Sequence, residues 1–247
     1  MMTASPTSHH WCLFLDVDGT LLDFAATPES VRVDQSLHQL LLKTRERLRG
    51  AVALISGRSL AQLDRMFAPT LWPAAGLHGL ERRDADGRTH RARTDESVLA
   101  DARLALAAVA AAAPGVILED KGLALALHYR RAPGFEQHLR REVGVIARRL
   151  GERYHVQEGS RVLELKPAAA TKADAIRAFM AEEPFAGRRP MFVGDDLTDL
   201  DGFAAVERLG GLSVAVGNRV NAMERVSSPR DVRALLAEVS QGREDTP

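Results

Sequence analysis

The sequence predicts an α/β protein, a parallel sheet covered by helices and interrupted by an inserted α+β layer. Three observations carry that prediction. Short apolar runs such as Leu13–Phe14–Leu15 and Ala51 to Ile55 read as strands buried on both faces. Over the first 75 or so residues these runs alternate with helical segments, the order that produces a parallel sheet. From about 94 to 166 the order becomes helix–strand–strand–helix–strand–strand, and the alternating pattern then resumes.

Each element has a local cause. Asp34 is placed to cap a helix running to Arg49, with Leu37, Leu40, Leu41 and Leu48 as its apolar face and Gly50 as its stop. Ser59 and Gln62 form a capping box for a helix to Phe67. A strand follows near Trp72–Ala75. The segments Leu80 to Arg83 and Arg88 to Arg93 flank Asp86–Gly87, a hairpin signal. A helix covers about Asp95 to Ala113 and stops at Pro114–Gly115. Val116 to Leu118 and Leu123 to His128 read as paired strands, then a helix from Phe135 to Leu150, then Tyr154 to Gln157 and Arg161 to Leu165 turning at Gly159–Ser160. Thr171 caps a helix to Ala181, and Met191 to Val193 is a strand. Thr198 starts a helix to Arg208, Leu212 to Val216 is a strand, and Val232 to Val239 is the last helix. The expected organisation is a discontinuous core, 1–93 with 167–247, and an inserted domain at 94–166.

Bulk composition narrows the partners. The 247 residues include 33 lysines and arginines and 33 aspartates and glutamates, and a net charge of zero gives no reason to expect nucleic acid or an anionic membrane. The longest apolar run, Leu104 to Ala113, is too short for a bilayer and is mostly alanine, so a soluble helix is expected. Met1 to His10 lacks the apolar region of a secretory signal, and the two tails read as disordered. The single cysteine, Cys12, begins an apolar run and reads as a core residue in a reducing, cytoplasmic protein. A monomer is the default expectation for its assembly.

Two predicted strands end in paired acids, Asp16-Val17-Asp18-Gly19-Thr20 and Gly194-Asp195-Asp196-Leu197-Thr198-Asp199. Ligands of open parallel sheets sit beyond the carboxyl ends of the strands, so these acids are expected to converge there. Carboxylates brought together repel one another and lose solvation, a cost that a cation among them offsets. Ligands that are all oxygen favour Mg2+ over zinc. Asp16 and Asp18, two apart, are able to address one ligand from two sides, one as nucleophile toward phosphorus and the other as general acid and base. Gly19 lets the backbone approach a phosphate and Thr20 offers a hydroxyl. Ser56 sits at a strand end beside a helix N-terminus, where free N–H groups favour anions. Lys172, in the first turn of a helix, works against the helix dipole, and pairing with phosphate and Asp16 would account for that placement.

Together these residues resemble the haloacid dehalogenase-type (HAD) phosphatases. Asp16 to Thr20 matches their first motif, Ser56 the second, Lys172 the third, and Asp195, Asp196 and Asp199 the fourth. The resemblance implies a Rossmann-like core, and the interval of about 116 residues between Ser56 and Lys172 is where this superfamily carries a larger α+β cap of the C2 type. Across about residues 11–235 the chain is further similar to the trehalose-6-phosphate phosphatases. The matching stretches are Ile55-Ser56-Gly57-Arg58, Gly76-Leu77-His78-Gly79, Glu119-Asp120-Lys121-Gly122, Ala126-Leu127-His128-Tyr129-Arg130, Val162 to Pro167 and Gly194 to Asp199. Two positions depart from the family pattern, Ala173 in place of glycine and Asp201 in place of glutamate.

The resemblance implies hydrolysis of a sugar phosphate through an aspartyl phosphate. Asp16 would be the nucleophile and Asp18 the acid and base, with Thr20, Ser56 and Lys172 on the phosphate. Mg2+ would be held by Asp16, the Asp18 backbone carbonyl and Asp195, supported by Asp196 and Asp199. Sugar contacts would come from Glu119, Lys121 and Glu164, expected at strand ends, with His128 and Arg130, and from Arg58, Gly76, His78 and Gly79 in the core. Another sugar-phosphate phosphatase or a phosphomutase on the same scaffold, and a non-catalytic sugar-phosphate sensor, are the alternative readings.

Overall fold

The structure, a computed structural model, describes residues 10–23, 31–159 and 161–242. The two tails read as disordered, and the Ser160 side of the turn at 159–160, lie outside the described residues. In chain order the elements are β1 (Trp11–Leu15), α1 (Gln35–Arg47), β2 (Val52–Ile55), α2 (Leu60–Met66), β3 (Ala74–Gly76), β4 (Glu81–Arg83), β5 (Thr89–Arg91), α3 (Glu96–Ala111), β6 (Ile117–Asp120), β7 (Leu125–His128), α4 (Glu136–Leu150), β8 (Tyr154–Gly159), β9 (Val162–Pro167), α5 (Lys172–Met180), β10 (Arg189–Gly194), α6 (Leu200–Arg208), β11 (Leu212–Val216), β12 (Glu224–Val226) and α7 (Pro229–Gln241).

The chain divides into two compact units, Met1–His90 with Thr171–Pro247, and Arg91–Ala170. The main sheet runs β12-β11-β10-β1-β2-β3-β4-β5. Its pairings from β12 through β3 are parallel, and β4 turns antiparallel to β3. This is the α/β class expected from the alternation of apolar runs and helices. β1 lies between β10 and β2, with Leu15 opposite Val193 on one side and Leu54 on the other. Asp16 therefore emerges one residue past the edge of the sheet, beside the end of β10. All five residues of β1 are buried, as a strand flanked on both faces by helices demands.

Capping follows the sequence closely. The Asp34 side chain accepts from the Leu37 N–H at 2.8 Å, and Ser59 with Gln62 closes the expected capping box. Two details differ from expectation. The segment after β10 begins with a short 3-10 turn, Leu197–Asp199, capped by Asp196, and α6 starts only at Leu200. The short edge strand β12 also appears, although Glu224-Arg225-Val226 carries one apolar residue and no strand signal. It forms because its neighbour β11 presents a free edge, in register from Val214 opposite Glu224.

In the second unit the sheet order is β6-β7-β9-β8, antiparallel throughout. Its core joins Leu125, Leu127, Leu163 and Leu165 to Leu99, Ala102 and Leu106 of α3 and Leu139 and Val143 of α4. Both helices thus cover one face of the sheet. The alanine-rich α3 is an ordinary packed helix, and among the described residues no helix is long and apolar enough to cross a membrane.

Beneath β1, Phe14 is fully buried, with its ring centroid 5.5 Å from Phe185 and 5.9 Å from Phe179. Phe14→Ala is expected to cost roughly 3–5 kcal/mol, which thermal melting would register as a fall on the order of 10 °C. An unchanged melting temperature would show that this aromatic cluster does not support the strand.

Candidate active site

Adjacent parallel strands bring the two acidic stretches together. The Asp16 N–H donates to the Val193 carbonyl at 3.0 Å, so the chain past β1 stays zipped to β10. Oxygens of Asp16, Asp195 and Asp199 all lie within 4.8 Å of one another, and all three residues are buried. Lys172, the first residue of α5, reaches into this group. Its ammonium donates to Asp16 Oδ1 at 2.7 Å and to Asp199 Oδ1 at 2.6 Å. The lysine that works against its helix dipole is thus held by two buried carboxylates.

The four groups have different duties. Asp199 is saturated, since its Oδ2 accepts the backbone N–H groups of Asp195 and Asp196 at 3.0 Å each while Oδ1 takes Lys172. It braces the turn that aims Asp195. Asp195 Oδ1 accepts a long hydrogen bond from Thr20 Oγ1 at 3.4 Å. Gly19 adopts a φ of +87°, and a Cβ there would stand 2.4 Å from Asp195 Oδ2. No residue with a side chain fits that place, so the backbone after Asp18 lies directly against the second acid.

Electrostatics follow from the count of charges. Three buried carboxylates share one ammonium. Burial raises the pKa of Asp16 well above the carboxylate range, Asp199 and Asp195 raise it further, and Lys172 counters them only in part. Asp195 is pushed up to about 7 by burial and by the neighbouring Asp199 and Asp196. Burial disfavours the Lys172 charge, but Asp16 and Asp199 together outweigh it, so its pKa is raised. Buried carboxylates of which Asp16 and Asp195 are disposed to hold protons, with ligand atoms that are all oxygen, fit a hard divalent cation. A second group, Asp84, His90 and Glu182, also has the spacing of a metal site. Its oxygens are already taken, Asp84 by His90 and the Arg88 N–H, and Glu182 by both terminal nitrogens of Arg82.

The remaining expected residues fall into place unevenly. Asp18 forms a two-pronged pair with Arg58, at 2.7 Å from Nε and 2.6 Å from a terminal nitrogen. The sequence reading assigned Arg58 to substrate, and its guanidinium is seen holding the Asp18 carboxylate. Asp196 caps Leu197 and lies 3.2 Å from Arg219. Ser56 is buried at the end of β2, and its hydroxyl accepts the Arg58 N–H at 3.1 Å. The segment 76–79 is packed by its glycines. A Cβ on Gly76 would meet the Arg58 carbonyl at 2.8 Å, and one on Gly79 the Thr171 carbonyl at 2.3 Å. Leu77 and His78, between them, both take positive φ, 51° and 56°. His78 stands over Gly57, where a Cβ would be 2.6 Å from the imidazole.

On the second unit, Lys121 Nζ donates to Glu164 Oε2 at 3.0 Å, and His128 Nε2 lies 2.8 Å from Glu119 Oε2. Glu164 is not at a strand end as expected. It sits within β9, opposite Ala126 and Gln157. Arg130 lies past the end of β7 and is exposed. Sequence reasoning missed Arg219, which approaches both Asp195 and Asp196. Its one signal was its position in Gly217-Asn218-Arg219, directly after a third strand of the parallel sheet.

Comparison with known proteins agrees with this architecture. A HAD-superfamily phosphatase from Bacteroides thetaiotaomicron superposes with a TM-score of 0.66 at 17% identity, over 96% of both chains. The C-terminal domain of trehalose-6-phosphate phosphatase from C. albicans gives 0.83 at 21% identity, over 95% of this chain and 93% of that one. The fold is therefore that of the HAD phosphatases, a Rossmann-like core with an inserted α+β domain. A family model described as Trehalose-phosphatase matches residues 14–239. A probable trehalose-phosphate phosphatase of Sinorhizobium fredii is 45% identical over 92% of this chain and 85% of its own length. The trehalose-6-phosphate phosphatase of Escherichia coli is 42% identical over 95% and 89%. The chain belongs to the trehalose-phosphatase family.

The Asp195 carboxyl yields a pH prediction. Its folded-state pKa of about 7 exceeds the unfolded value near 4. Between those values the folded state holds more protons than the unfolded one, so this group lowers stability as pH rises through the window. In chelator-treated protein, Asp195→Asn should make the melting temperature less sensitive to pH between 4.5 and 7.5. A divalent cation should raise the wild-type melting temperature more at pH 7.5 than at pH 5. Equal pH profiles for variant and wild type would refute the assignment.

Proposed function

We propose that this protein hydrolyses trehalose 6-phosphate to trehalose and inorganic phosphate through an aspartyl phosphate on Asp16. The observation that carries the reading is the meeting of Asp16, Asp195, Asp199 and Lys172 at the carboxyl edge of the sheet, in a member of the trehalose-phosphatase family.

In the first step a carboxylate oxygen of Asp16 forms a bond to phosphorus while the bond from phosphorus to the sugar oxygen breaks. Asp18 gives its proton to the departing alkoxide. In the second step water attacks the aspartyl phosphate and yields its proton to Asp18. The bond between phosphorus and Asp16 breaks, and phosphate and the original carboxylate return. Thr20, Ser56 and Lys172 contribute donors for the phosphate oxygens, and positioning with charge neutralisation supplies most of the rate. Arg58 holds both oxygens of Asp18 and so orients the carboxyl group through which that proton passes. Asp16, the Asp18 carbonyl and Asp195 would hold Mg2+, with Asp199 and Asp196 behind them. When bound, the ion supplies the positive charge that three buried carboxylates and a phosphate dianion lack. The charged groups of the second unit, Glu119, Lys121, His128 and Glu164, suit the hydroxyls of a sugar, because charge-assisted hydrogen bonds to them are strong. Gly76, His78 and Gly79 form the loop the core offers to substrate, with Arg130 a further contact. A cytoplasmic monomer is the accompanying proposal, in keeping with one buried, unpaired cysteine.

The deciding assay is phosphate release from trehalose 6-phosphate against glucose 6-phosphate, with and without Mg2+. Preference for the disaccharide and dependence on the ion are expected, and equal or reversed preference rejects the substrate assignment. Asp16→Asn should abolish turnover with melting preserved, and an active variant would end the covalent scheme. Arg58→Gln should slow hydrolysis of the sugar phosphate by about tenfold or more, consistent with loss of a positioned acid. It should slow p-nitrophenyl phosphate much less, because that leaving group departs without a proton. Equal losses would mean that Arg58 acts on the phosphate instead.

A further inference from the structure

The loop after β11 carries a cation to the acidic edge of the main sheet, and the fold holds it there. β11 lies beside β10, so the chain leaving Val216 emerges next to the strand end that bears Asp195 and Asp196. Gly217 takes a φ of +73°, and its N–H donates to the Val226 carbonyl at 2.9 Å. The Arg225 guanidinium donates to the Gly217 carbonyl and, at 2.9 Å, to the Val220 carbonyl. The short edge strand β12 therefore clasps the loop at both ends. Between them Arg219 places one terminal nitrogen 3.2 Å from Asp196 Oδ1 and the other 3.8 Å from Asp195 Oδ2.

Lys172 and Arg219 act on these acids in different ways. Lys172 is buried, and its ammonium is committed to Asp16 and Asp199 at 2.7 and 2.6 Å. The Arg219 side chain is 42% exposed. Its approach to Asp195 is too long for a hydrogen bond, so it acts there through charge. A guanidinium stays protonated at any working pH, and that charge is constant. The sign of its effect follows. Arg219 attracts Asp195 and Asp196 while their charge is uncompensated. A divalent cation received by the same carboxylates draws on the charge that Arg219 pairs with, and it also repels the guanidinium. Both effects oppose the ion. A partly exposed arginine swings toward solvent readily, so the opposition lowers affinity without closing the site.

We infer that Arg219 is a tethered competitor of the divalent cation, a positioning residue that sets how tightly the acidic site holds the ion. It keeps Asp195 and Asp196 paired when no ion is bound and yields them when one arrives. The inference rests on the cation site proposed above and adds the residue that tunes it. It also gives β12 a purpose, since the strand's Arg225 holds the loop that presents Arg219.

The test titrates MgCl2 into chelator-treated protein by calorimetry at constant pH and ionic strength, and reads the melting temperature with and without Mg2+. For Arg219→Gln the dissociation constant for Mg2+ should fall by about three- to tenfold, the scale of one repulsion removed at a partly exposed site. The melting temperature without Mg2+ should fall slightly, and the rise that Mg2+ brings should grow. Arg219→Lys keeps the charge, and its dissociation constant should stay within about threefold of wild type. Arg208→Gln removes an exposed arginine from the last position of α6, at the opposite end of that helix from the site. It controls for net charge and should change the dissociation constant by less than about twofold, because salt screens distant charges. An unchanged or weakened Mg2+ affinity in Arg219→Gln overturns the inference. So does an equal gain in Arg208→Gln, which would report net charge alone, or an equal gain in Arg219→Lys, which would report loss of shape and not of charge. Wild-type protein that binds no Mg2+ would overturn the cation site first and this inference with it. Wild-type binding with an indifferent Arg219→Gln overturns the inference alone.

Discussion

One ammonium among three buried carboxylates organises this protein. Lys172 holds Asp16 and Asp199 from the first turn of α5, and in doing so ties the end of β1 to the turn after β10. Removing Lys172 would leave the buried carboxylates without a counter-charge, a change that costs about 3–5 kcal/mol in typical cases. The arrangement is not built for stability alone. Burial and mutual repulsion keep Asp16 and Asp195 prone to protonation, as expected of carboxylates arranged to meet a cation. Asp199 serves as the brace, with both its oxygens committed to Lys172 and to two backbone N–H groups.

Much of this was legible in the sequence because the signals are local. Leu13 to Leu15 followed by Asp16 says both that a strand is buried and that its end is acidic. Thr171, Ser59 and Asp34 announce helices by cap chemistry that acts within three residues. Strand adjacency was less direct, yet alternation of strand and helix constrains a parallel sheet strongly enough to place two distant acidic ends side by side. What could not be read depended on long-range geometry. The pairing of Arg58 with Asp18 joins residues 40 apart, and no local pattern distinguishes an arginine that holds a carboxylate from one that meets a ligand. β12 was invisible because its pairing is imposed by the free edge of β11 and not by its own residues.

The second unit shows the same division. Alternating leucines and alanines disclosed β7, but the partner of Glu164 required the register across three strands. Expectation set Glu164 at a strand end, whereas it lies within β9, its backbone held on both sides. A charged group carried by a central strand has fewer ways to move than one on a loop. Lys121, at the end of β6, supplies the adaptable half of that ion pair.

The contact between Gly79 and Thr171 has a wider meaning. Gly79 closes a turn in which Leu77 and His78 take left-handed backbone angles, conformations that persist only when surrounding atoms insist on them. The Leu77 and His78 N–H groups donate to the Arg58 and Ser56 carbonyls, and the carbonyl of the residue preceding Lys172 lies against Gly79. The imidazole and the ammonium are thereby mounted on a shared chassis, although 94 positions of chain separate them. Drift at either place in a lineage has to be matched at the other, so the two segments should evolve as one part.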